Sequence, residues 1–427
     1  MLESVSPVSV VKMRPGFGQT VRPQKGSVVA SPVLADWNPE PDYFFHWYRD
    51  SALVMDALRL LVNAGRVGPE ALTHFRDFVH FSRSLQNLDG RALAAAPSWR
   101  DSCATEFARF LRSDSELAMV HGDAVLADTR VNADGTLDIS KWTRPQHDGA
   151  PLRALAMLRW IRDAAIDTDL GIDLAELVRT DLEFTSRHWH EPCFDIWEEE
   201  QGLHYYTLCV SAAALEAGAR WLERSGDSDA AQSYRAQGQA IHRKLDGFWL
   251  PEAGYFRSRI LSSGSRSPKE LDISVVLAAI HAAGEGVPHT VRDPRMQGTL
   301  ARLELLFDAA YPINHGRSER AGPAMGRYSG DVYFSGGAYY FSTLGAAEFC
   351  FRAAVQSADA NAWIGRGNAF LETVREFTPP TGDMSEQFDQ RTGVQTSARH
   401  LAWSYAAFIT CIAARRCAYA PRQTHLP

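Results

Sequence analysis

The sequence predicts an all-α fold in which helices are arranged in two layers. Apolar residues recur at offsets of three and four in several segments, for example over residues 208–222, which is typical of amphipathic helices. Residues 151–161, 338–351 and 401–413 are apolar on nearly all sides, so helices there must be buried on most faces. Few stretches alternate between apolar and polar residues as strands do.

About twelve helices are expected after an irregular start. They should begin near residues 51, 69, 105, 149, 172, 207, 229, 271, 296, 337, 360 and 398. Residues 1–40 carry scattered Pro, Gly and Ser and are predicted to pack on the helices as an irregular segment, with residues 41–420 forming a single domain. Amphipathic helices interleaved with buried ones favour a closed double ring, whereas long loops at the junctions argue against the simpler bundle.

Composition narrows the possible functions. The chain has 427 residues and a net charge of −7, so it lacks the basic surface of a nucleic-acid-binding protein. It has 11 Trp, 13 Tyr and 21 Phe. Most of these rings should pack in the core, but indole faces also stack on the apolar C–H faces of pyranose sugars.

The cysteines predict neither a disulfide framework nor a metal site. They are scattered and are expected to be buried free thiols: Cys103, Cys193, Cys209, Cys350, Cys411 and Cys417. His188 and His190, with Cys193 beyond them, carry a weak metal-ligand pattern, but no second pair follows. We therefore expect no metal and no cofactor.

The termini and hydropathy indicate no membrane association. Glu3 occurs early and no long apolar run follows, unlike a signal peptide. No segment reaches the roughly 18 uninterrupted apolar residues of a membrane span. We expect a cytoplasmic monomer, unless a leader was removed from a longer precursor.

Two acidic clusters are candidates for catalysis, Asp195–Glu200 and Ser385–Asp389. Cleavage of a glycosidic bond uses two carboxyl groups, one to protonate the leaving oxygen and one to activate water or attack the sugar. Adjacent carboxylates raise one another's pKa, and Trp197 would add desolvation, so a glutamic acid of the first cluster could stay protonated. By spacing alone, three consecutive Glu residues are more typical of a solvated cluster or a first helical turn.

Five stretches that follow one another in a fixed order indicate the function more specifically than the acidic clusters do. They are Pro41–Val54, Trp142–Gly149, Phe194–Glu199, Gly326–Tyr333, and Ser385–Asp389 followed by Ser397–Tyr405. Together they resemble the glucoamylases, glycoside hydrolase family 15. The resemblance covers residues 41 to 405 and implies an (α/α)6 barrel, a double ring of about twelve helices, with the active site in a pocket at one end of a single catalytic domain.

The resemblance also implies roles for individual residues. Glu198 matches the general acid, Glu386 matches the general base, and Tyr43 matches a tyrosine that helps to hold the attacking water. Glu199 would bind the sugar on the leaving-group side. The other expected sugar-binding residues are the hydroxyl-gripping pair Arg49 and Asp50, a second arginine, Arg327, and the aromatic residues Trp47, Trp142, Trp197 and Trp403.

The implied function is an exo-acting, inverting glucan 1,4-α-glucosidase that releases β-D-glucose from the non-reducing ends of α-glucans or malto-oligosaccharides. Inversion requires the two carboxyl groups to lie about 6.5–9.5 Å apart, which leaves room for water. The expected partner is the glucan substrate, with neither nucleic acid nor membrane involved.

Three departures leave linkage and chain length open. Gly337-Ala338-Tyr339 stands where the family often has Asn-Pro-Trp, Ser329-Gly330 stands for Pro-Glu, and His400 stands for Asp. Specificity for α-1,6 links or for trehalose is therefore an alternative. No β-rich segment suggests a starch-binding module, so short soluble glucans are the expected substrates.

Two hypotheses that assign the chain to other classes of protein have less support. A sugar-binding (α/α)6 protein that has lost catalysis is disfavoured because both carboxylates are present. A terpene-cyclase-like barrel would need Asp-rich motifs, and the sequence contains no Asp-Asp pair.

Overall fold

The computed structural model describes residues 1–164, 166–284, 288–355 and 357–420. Fourteen α-helices occur in these residues. They are α1 (Tyr48–Asn63), α2 (Glu70–Leu85), α3 (Gly90–Ala95), α4 (Asp114–Ala118), α5 (Asp123–Leu126), α6 (Gly149–Asp163), α7 (Thr168–His188), α8 (Tyr205–Arg224), α9 (Ser228–Asp246), α10 (Ser274–His281), α11 (Pro294–Ala310), α12 (Tyr340–Ala354), α13 (Ala360–Glu376) and α14 (Ala402–Tyr419).

Six of these helices, α1, α6, α8, α10, α12 and α14, form a closed inner ring. Each contacts the next, and α14 returns to α1. They run in the same direction, because first-turn residues of α1, α12 and α14 line one cavity whereas last-turn residues of α1, α6, α10, α12 and α14 line another. The positive ends of the helix dipoles therefore gather at one end of the ring.

Five long helices, α2, α7, α9, α11 and α13, form the outer layer. Each follows an inner helix in the chain and packs on it. Asp167, Asp227 and Asp293 cap three of them by accepting a hydrogen bond from a first-turn backbone N–H. The alternation of inner and outer helices is the predicted (α/α)6 barrel, and eleven of the twelve expected starts lie within four residues of an observed one.

The helix expected near residue 105 is wrong. Thr105–Phe110 forms a 3-10 helix, and the chain then makes only the short helices α4 and α5. The periodic pattern is interrupted because Arg112 is drawn into a buried ion pair with Asp128, and because a capping box at Ser113 starts a new helix.

Twelve short strands form five small sheets in the described chain. They are β1 (Lys12–Arg14), β2 (Gln19–Val21), β3 (Phe45–Trp47), β4 (Arg130–Asn132), β5 (Cys193–Phe194), β6 (Gln201–His204), β7 (Trp249–Leu250), β8 (Tyr255–Phe256), β9 (Arg259–Leu261), β10 (Ala338–Tyr339), β11 (Gln387–Phe388) and β12 (Gln395–Thr396). With two to four residues each, they are too short to show an alternating pattern in the sequence.

Three of the strands lead directly into inner helices. β3, β6 and β10 end where α1, α8 and α12 begin, and their antiparallel partners are β4, β5 with β9, and β11. Backbone carbonyls of the facing segments accept the first helical N–H groups, as Thr129 does for Tyr48 and Glu386 does for Tyr340. These ladders fix where each inner helix starts and so place the residues around the ring's N-terminal end.

Residues 1–40 contain β1, β2 and two 3-10 helices, and their apolar side chains join the barrel core. Val5, Val28 and Ala30 are buried in the same cluster as the ring helices, and Ala402 donates its backbone N–H to Ala30. No helix in the described ranges is long and apolar enough to cross a membrane.

Candidate active site

A small cavity of about 50 Å³ opens at the N-terminal end of the inner ring. Nine of the eleven residues predicted from the sequence line it, namely Tyr43, Trp47, Arg49, Asp50, Trp197, Glu198, Arg327, Glu386 and Trp403. The other two, Trp142 and Glu199, hydrogen-bond to lining residues.

Glu198 is held by donors at both carboxylate oxygens. Trp47 Nε1 donates to Oε1 at 2.8 Å, Arg49 Nη2 donates to the same oxygen at 3.2 Å, and Trp142 Nε1 donates to Oε2. Its side chain is 11% exposed, and its backbone has a φ of 66°. Left-handed backbone at a non-glycine residue is uncommon and is found where surrounding contacts impose it, often at functional sites.

The contacts that shape this loop lie on distant segments. The Asp195 carboxylate accepts the backbone N–H groups of Trp197 at 2.7 Å and Glu200 at 2.8 Å. Buried Arg259 donates to Asp195 at 3.2 Å and also to Asp272, which in turn accepts Trp197 Nε1 at 2.8 Å. Sequence reasoning assigned no role to Arg259 or Asp272, because nothing local distinguishes them.

The three side chains of the Glu-Glu-Glu run have different partners. Glu199 accepts from Tyr328 Oη at 2.7 Å, Lys269 Nζ at 2.6 Å and Arg327 Nη2 at 3.0 Å. Glu200 accepts from Arg259 at 2.8 Å. The run is therefore neither a solvated cluster nor a helical turn, since each carboxylate has its own cationic partner.

Glu386 is a buried carboxyl group whose pKa is raised. It precedes β11 and is fixed through its backbone, which donates to Ala398 at 2.8 Å. Burial raises the pKa of Glu386 to about 7, although the hydroxyl of Ser397, which donates to Oε2, and the charge of Arg327 both act to lower it. The raised pKa is therefore that of the predicted base.

Arg49 and Asp50 form a buried pair with unused hydrogen-bonding capacity. Arg49 Nε lies 3.4 Å from Asp50 Oδ2, and Arg49 Nη1 lies 3.4 Å from Asp148. Neither Arg49 Nε nor Asp50 Oδ2 makes a hydrogen bond to another described residue. A buried polar atom left unpaired costs about 1–3 kcal/mol, which hydroxyl groups of a ligand in the cavity would offset. Burial also raises the pKa of Asp50 to about 6.

Stacked aromatic rings form one wall of the cavity. Phe341 and Trp403 are parallel with ring centroids 4.2 Å apart, and Trp197 stacks at 6.2 Å from Trp403. The guanidinium carbon of Arg49 lies 5.4 Å from the Trp403 ring. The sequence signalled both Trp residues, but it did not signal Phe341, because a Phe in an apolar segment is typical of core.

A tyrosine pair lies near both candidate carboxyl groups. Tyr43 and Tyr333 share a 2.7 Å hydrogen bond between their hydroxyls. Burial raises the pKa of both tyrosines, and the negative charges of Glu386 and Glu198 raise it further. Both hydroxyls therefore stay protonated and can donate to a carboxylate, water or sugar. Tyr333 belongs to the Gly326–Tyr333 stretch, but the sequence indicated no role for it.

Of the residues that depart from the family pattern, Tyr339 lies beside Arg327, whereas His400 has other partners. The Arg327 guanidinium donates to Asp331 through Nε and Nη2, both at 2.6 Å, so Asp331 holds it without a neighbouring glutamate. Tyr339, which replaces a Trp, donates its hydroxyl to Asp331 at 3.1 Å. His400 contacts the Tyr405 hydroxyl at 2.9 Å.

The residues of the weak metal-ligand pattern, His188, His190 and Cys193, do not form a cluster of ligands. His188 pairs with Asp123 at 2.8 Å and Glu191 at 2.9 Å, and burial raises the pKa of the Cys193 thiol to about 12, which opposes thiolate formation. Among the described residues, no group of three or more His, Cys, Asp or Glu is placed to hold a metal ion. All six cysteines are free, but only four are buried, because Cys103 is half-buried and Cys417 is exposed.

The raised pKa of Glu386 predicts the acid limb of the pH profile. A general base must be ionised, and a raised pKa means that Glu386 becomes protonated as the pH falls below about 7. We expect kcat/KM to fall about tenfold per pH unit below that point. Ser397→Ala should move the limb to higher pH, because the Ser397 hydrogen bond lowers the pKa. A limb near pH 4.5 that Ser397→Ala leaves in place would contradict this assignment.

Paired carboxyl groups in an aromatic-lined cavity are suited to cleavage of a glycosidic bond, and a double ring of helices holds them here. Fold and site together define a glycoside hydrolase. The chain belongs to glycosyl hydrolases family 15, whose family model matches residues 13–86, 122–366 and 365–413.

Named relatives and solved structures agree with this family. The chain is 30% identical to a glucoamylase of Neurospora crassa over 93% of its own length and 64% of the relative's. It is 28% identical to a probable glucoamylase of Schizosaccharomyces pombe, over 91% and 84% of the two chains. The glucoamylase structure from Saccharomycopsis fibuligera matches with a TM-score of 0.75 at 22% identity, covering 92% of this chain and 90% of that one.

Proposed function

We propose that the protein is an exo-acting, inverting glucan 1,4-α-glucosidase that releases β-D-glucose from the non-reducing ends of α-glucans or malto-oligosaccharides. The observation that carries this proposal is the cavity itself, which brings Glu198 and Glu386 together with the unsatisfied Arg49–Asp50 pair. The cavity lies at one end of a closed ring of helices, which suits a chain end better than a chain passing through.

In the proposed mechanism, Glu198 and Glu386 act on opposite sides of one sugar. Glu198 gives a proton to the bridging oxygen as the bond from that oxygen to C1 breaks. Glu386 takes a proton from water as the water oxygen bonds to C1 on the other face, which inverts the configuration. Trp47 and Trp142 hydrogen-bond to the Glu198 carboxyl group, and Tyr43 would orient the water.

Arg49 and Asp50 would bind hydroxyls of the terminal glucose. A guanidinium donates and a carboxylate accepts, so the pair matches the alternating donors and acceptors of one sugar edge. Because Arg49 Nε and Asp50 Oδ2 are buried and have only their 3.4 Å contact with each other, hydroxyls of a matching sugar would supply hydrogen bonds that a ligand without them could not. This is a source of selectivity for glucose at the closed end of the cavity.

Glu199 and Arg327 would contact the sugar on the leaving-group side. They hydrogen-bond to each other at 3.0 Å, and Lys269, Tyr328 and Asp331 hold them in place. Their many partners make this side of the cavity rigid, which favours one approach of the leaving sugar.

A linkage panel tests the proposal. With maltose, isomaltose and trehalose at equal concentration, we expect glucose release to be fastest from maltose. Faster release from isomaltose or trehalose would move the enzyme to the α-1,6 or trehalose alternative. Binding of these sugars without any glucose release would instead support the catalytically inactive reading.

A further inference from the structure

Trp37 is an exposed tryptophan beside the cavity with no evident structural role. It is 44% exposed, and it is not among the buried or packed residues of the described core. Its backbone φ is 71°, a conformation that bulky side chains rarely adopt. Strained backbone of this kind persists only where surrounding contacts impose it, and it clusters at functional sites.

Contacts on both sides hold the Trp37 loop in position. Lys12, whose side chain is only 2% exposed, donates to Asp36 at 2.7 Å and to the Ala35 carbonyl at 2.6 Å. On the other side, Glu40 forms an ion pair with Arg399. The loop is therefore anchored immediately before and shortly after the exposed indole, so that the ring is presented on a fixed base.

Trp37 continues a row of indoles that leads away from the predicted acid. Trp47 and Trp142 both donate to Glu198, and their rings meet edge to face at 6.3 Å. Trp37 lies on the far side, with its ring centroid 5.9 Å from that of Trp142. Along this row the indoles pass from buried Trp47 through half-buried Trp142 to exposed Trp37.

We propose that Trp37 is a specificity-determining residue that stacks on a glucose unit of the leaving chain, beyond the unit next to the cleaved bond. The inference rests on the proposed function, because the position of the row on the leaving-group side follows from Glu198 acting on the bridging oxygen. A pyranose presents an apolar C–H face that suits an exposed indole. Trp37 would thus favour longer α-1,4 chains over maltose.

The chain-length dependence of Trp37→Ala tests this. Maltose is too short to reach Trp37, so its kcat/KM should stay within about twofold, whereas kcat/KM for maltoheptaose should fall about five- to tenfold. Trp37→Phe keeps a stacking face and should recover most of the loss. Leu305→Ala, at a 63% exposed site on α11, is the matched control and should change neither substrate.

The possible outcomes separate the two proposals. Equal losses on maltose and maltoheptaose, or no loss on either, would overturn the assignment of Trp37 while leaving the proposed function intact. A wild-type enzyme that cleaves neither substrate would overturn the proposed function, and this inference with it.

Discussion

Replacing Glu198 by Gln is expected to lower kcat for maltose by about 10²–10⁴-fold, the usual contribution of a general acid. The amide keeps the shape of the side chain but has no proton to give to the bridging oxygen. Trp47 Nε1, 2.8 Å from Oε1, can still donate to the amide oxygen, whereas the amide NH2 that replaces Oε2 cannot accept the hydrogen bond of Trp142. Steady-state rates and a thermal unfolding curve for each variant would show whether activity alone has changed.

The leaving group identifies the role of Glu198. Fluoride departs without protonation, so Glu198→Gln should lose far less activity on α-D-glucosyl fluoride than on maltose. If both substrates lose activity equally, Glu198 is not the acid. Glu199→Gln is the neighbouring control, and we expect its loss to appear mainly in KM, since Glu199 is proposed to bind sugar.

Replacing Glu386 by Gln or Ala should have an effect of the same size for the opposite reason. Without this carboxylate nothing removes the proton from the attacking water, so maltose and α-D-glucosyl fluoride should both lose about 10²–10⁴-fold in kcat. The carboxyl group is buried and hydrogen-bonded to Ser397, so Glu386→Gln is the less disruptive variant for comparing stability.

Small anions distinguish a lost base from a damaged site. In Glu386→Ala, azide can enter the space left by the carboxylate and attack C1 directly, because it needs no deprotonation. We expect added azide to restore turnover of α-D-glucosyl fluoride and to yield β-glucosyl azide. Rescue of a Glu198 variant by azide, with none for Glu386→Ala, would exchange the two roles.

Much of the barrel could be predicted because its signals are local. Amphipathic and wholly apolar segments alternate along the chain, and their starts locate eleven long helices to within four residues. The prediction of an α-helix at Thr105–Phe110 is wrong. The apolar period there favours a helix, but the buried ion pair between Arg112 and Asp128 holds the chain in another course. The period of apolar residues indicates local helix propensity and carries no information about a partner elsewhere in the chain.

In the candidate site too, residues in local motifs could be predicted and residues that act through distant contacts could not. Glu198, Glu386, Arg49 and Asp50 stand in motifs, and the structure brings all four to one cavity. The Arg259–Asp272 pair that supports the Glu198 loop escaped prediction, because its members join segments more than 50 residues from Asp195.

The raised pKa of Glu386 could not be predicted from the sequence, because the burial that raises it depends on the whole fold. Roles of individual residues, the monomeric state and the compartment stay predictions.

The anomeric form of the first glucose released tests the central claim most directly. With enzyme in excess, proton NMR can record hydrolysis of α-D-glucosyl fluoride, which releases a single glucose, before the two anomers of glucose equilibrate. Inversion by Glu198 and Glu386 predicts that β-glucose appears first and that α-glucose follows only through mutarotation. α-Glucose as the first product would mean retention through a covalent intermediate, which contradicts the proposed single displacement.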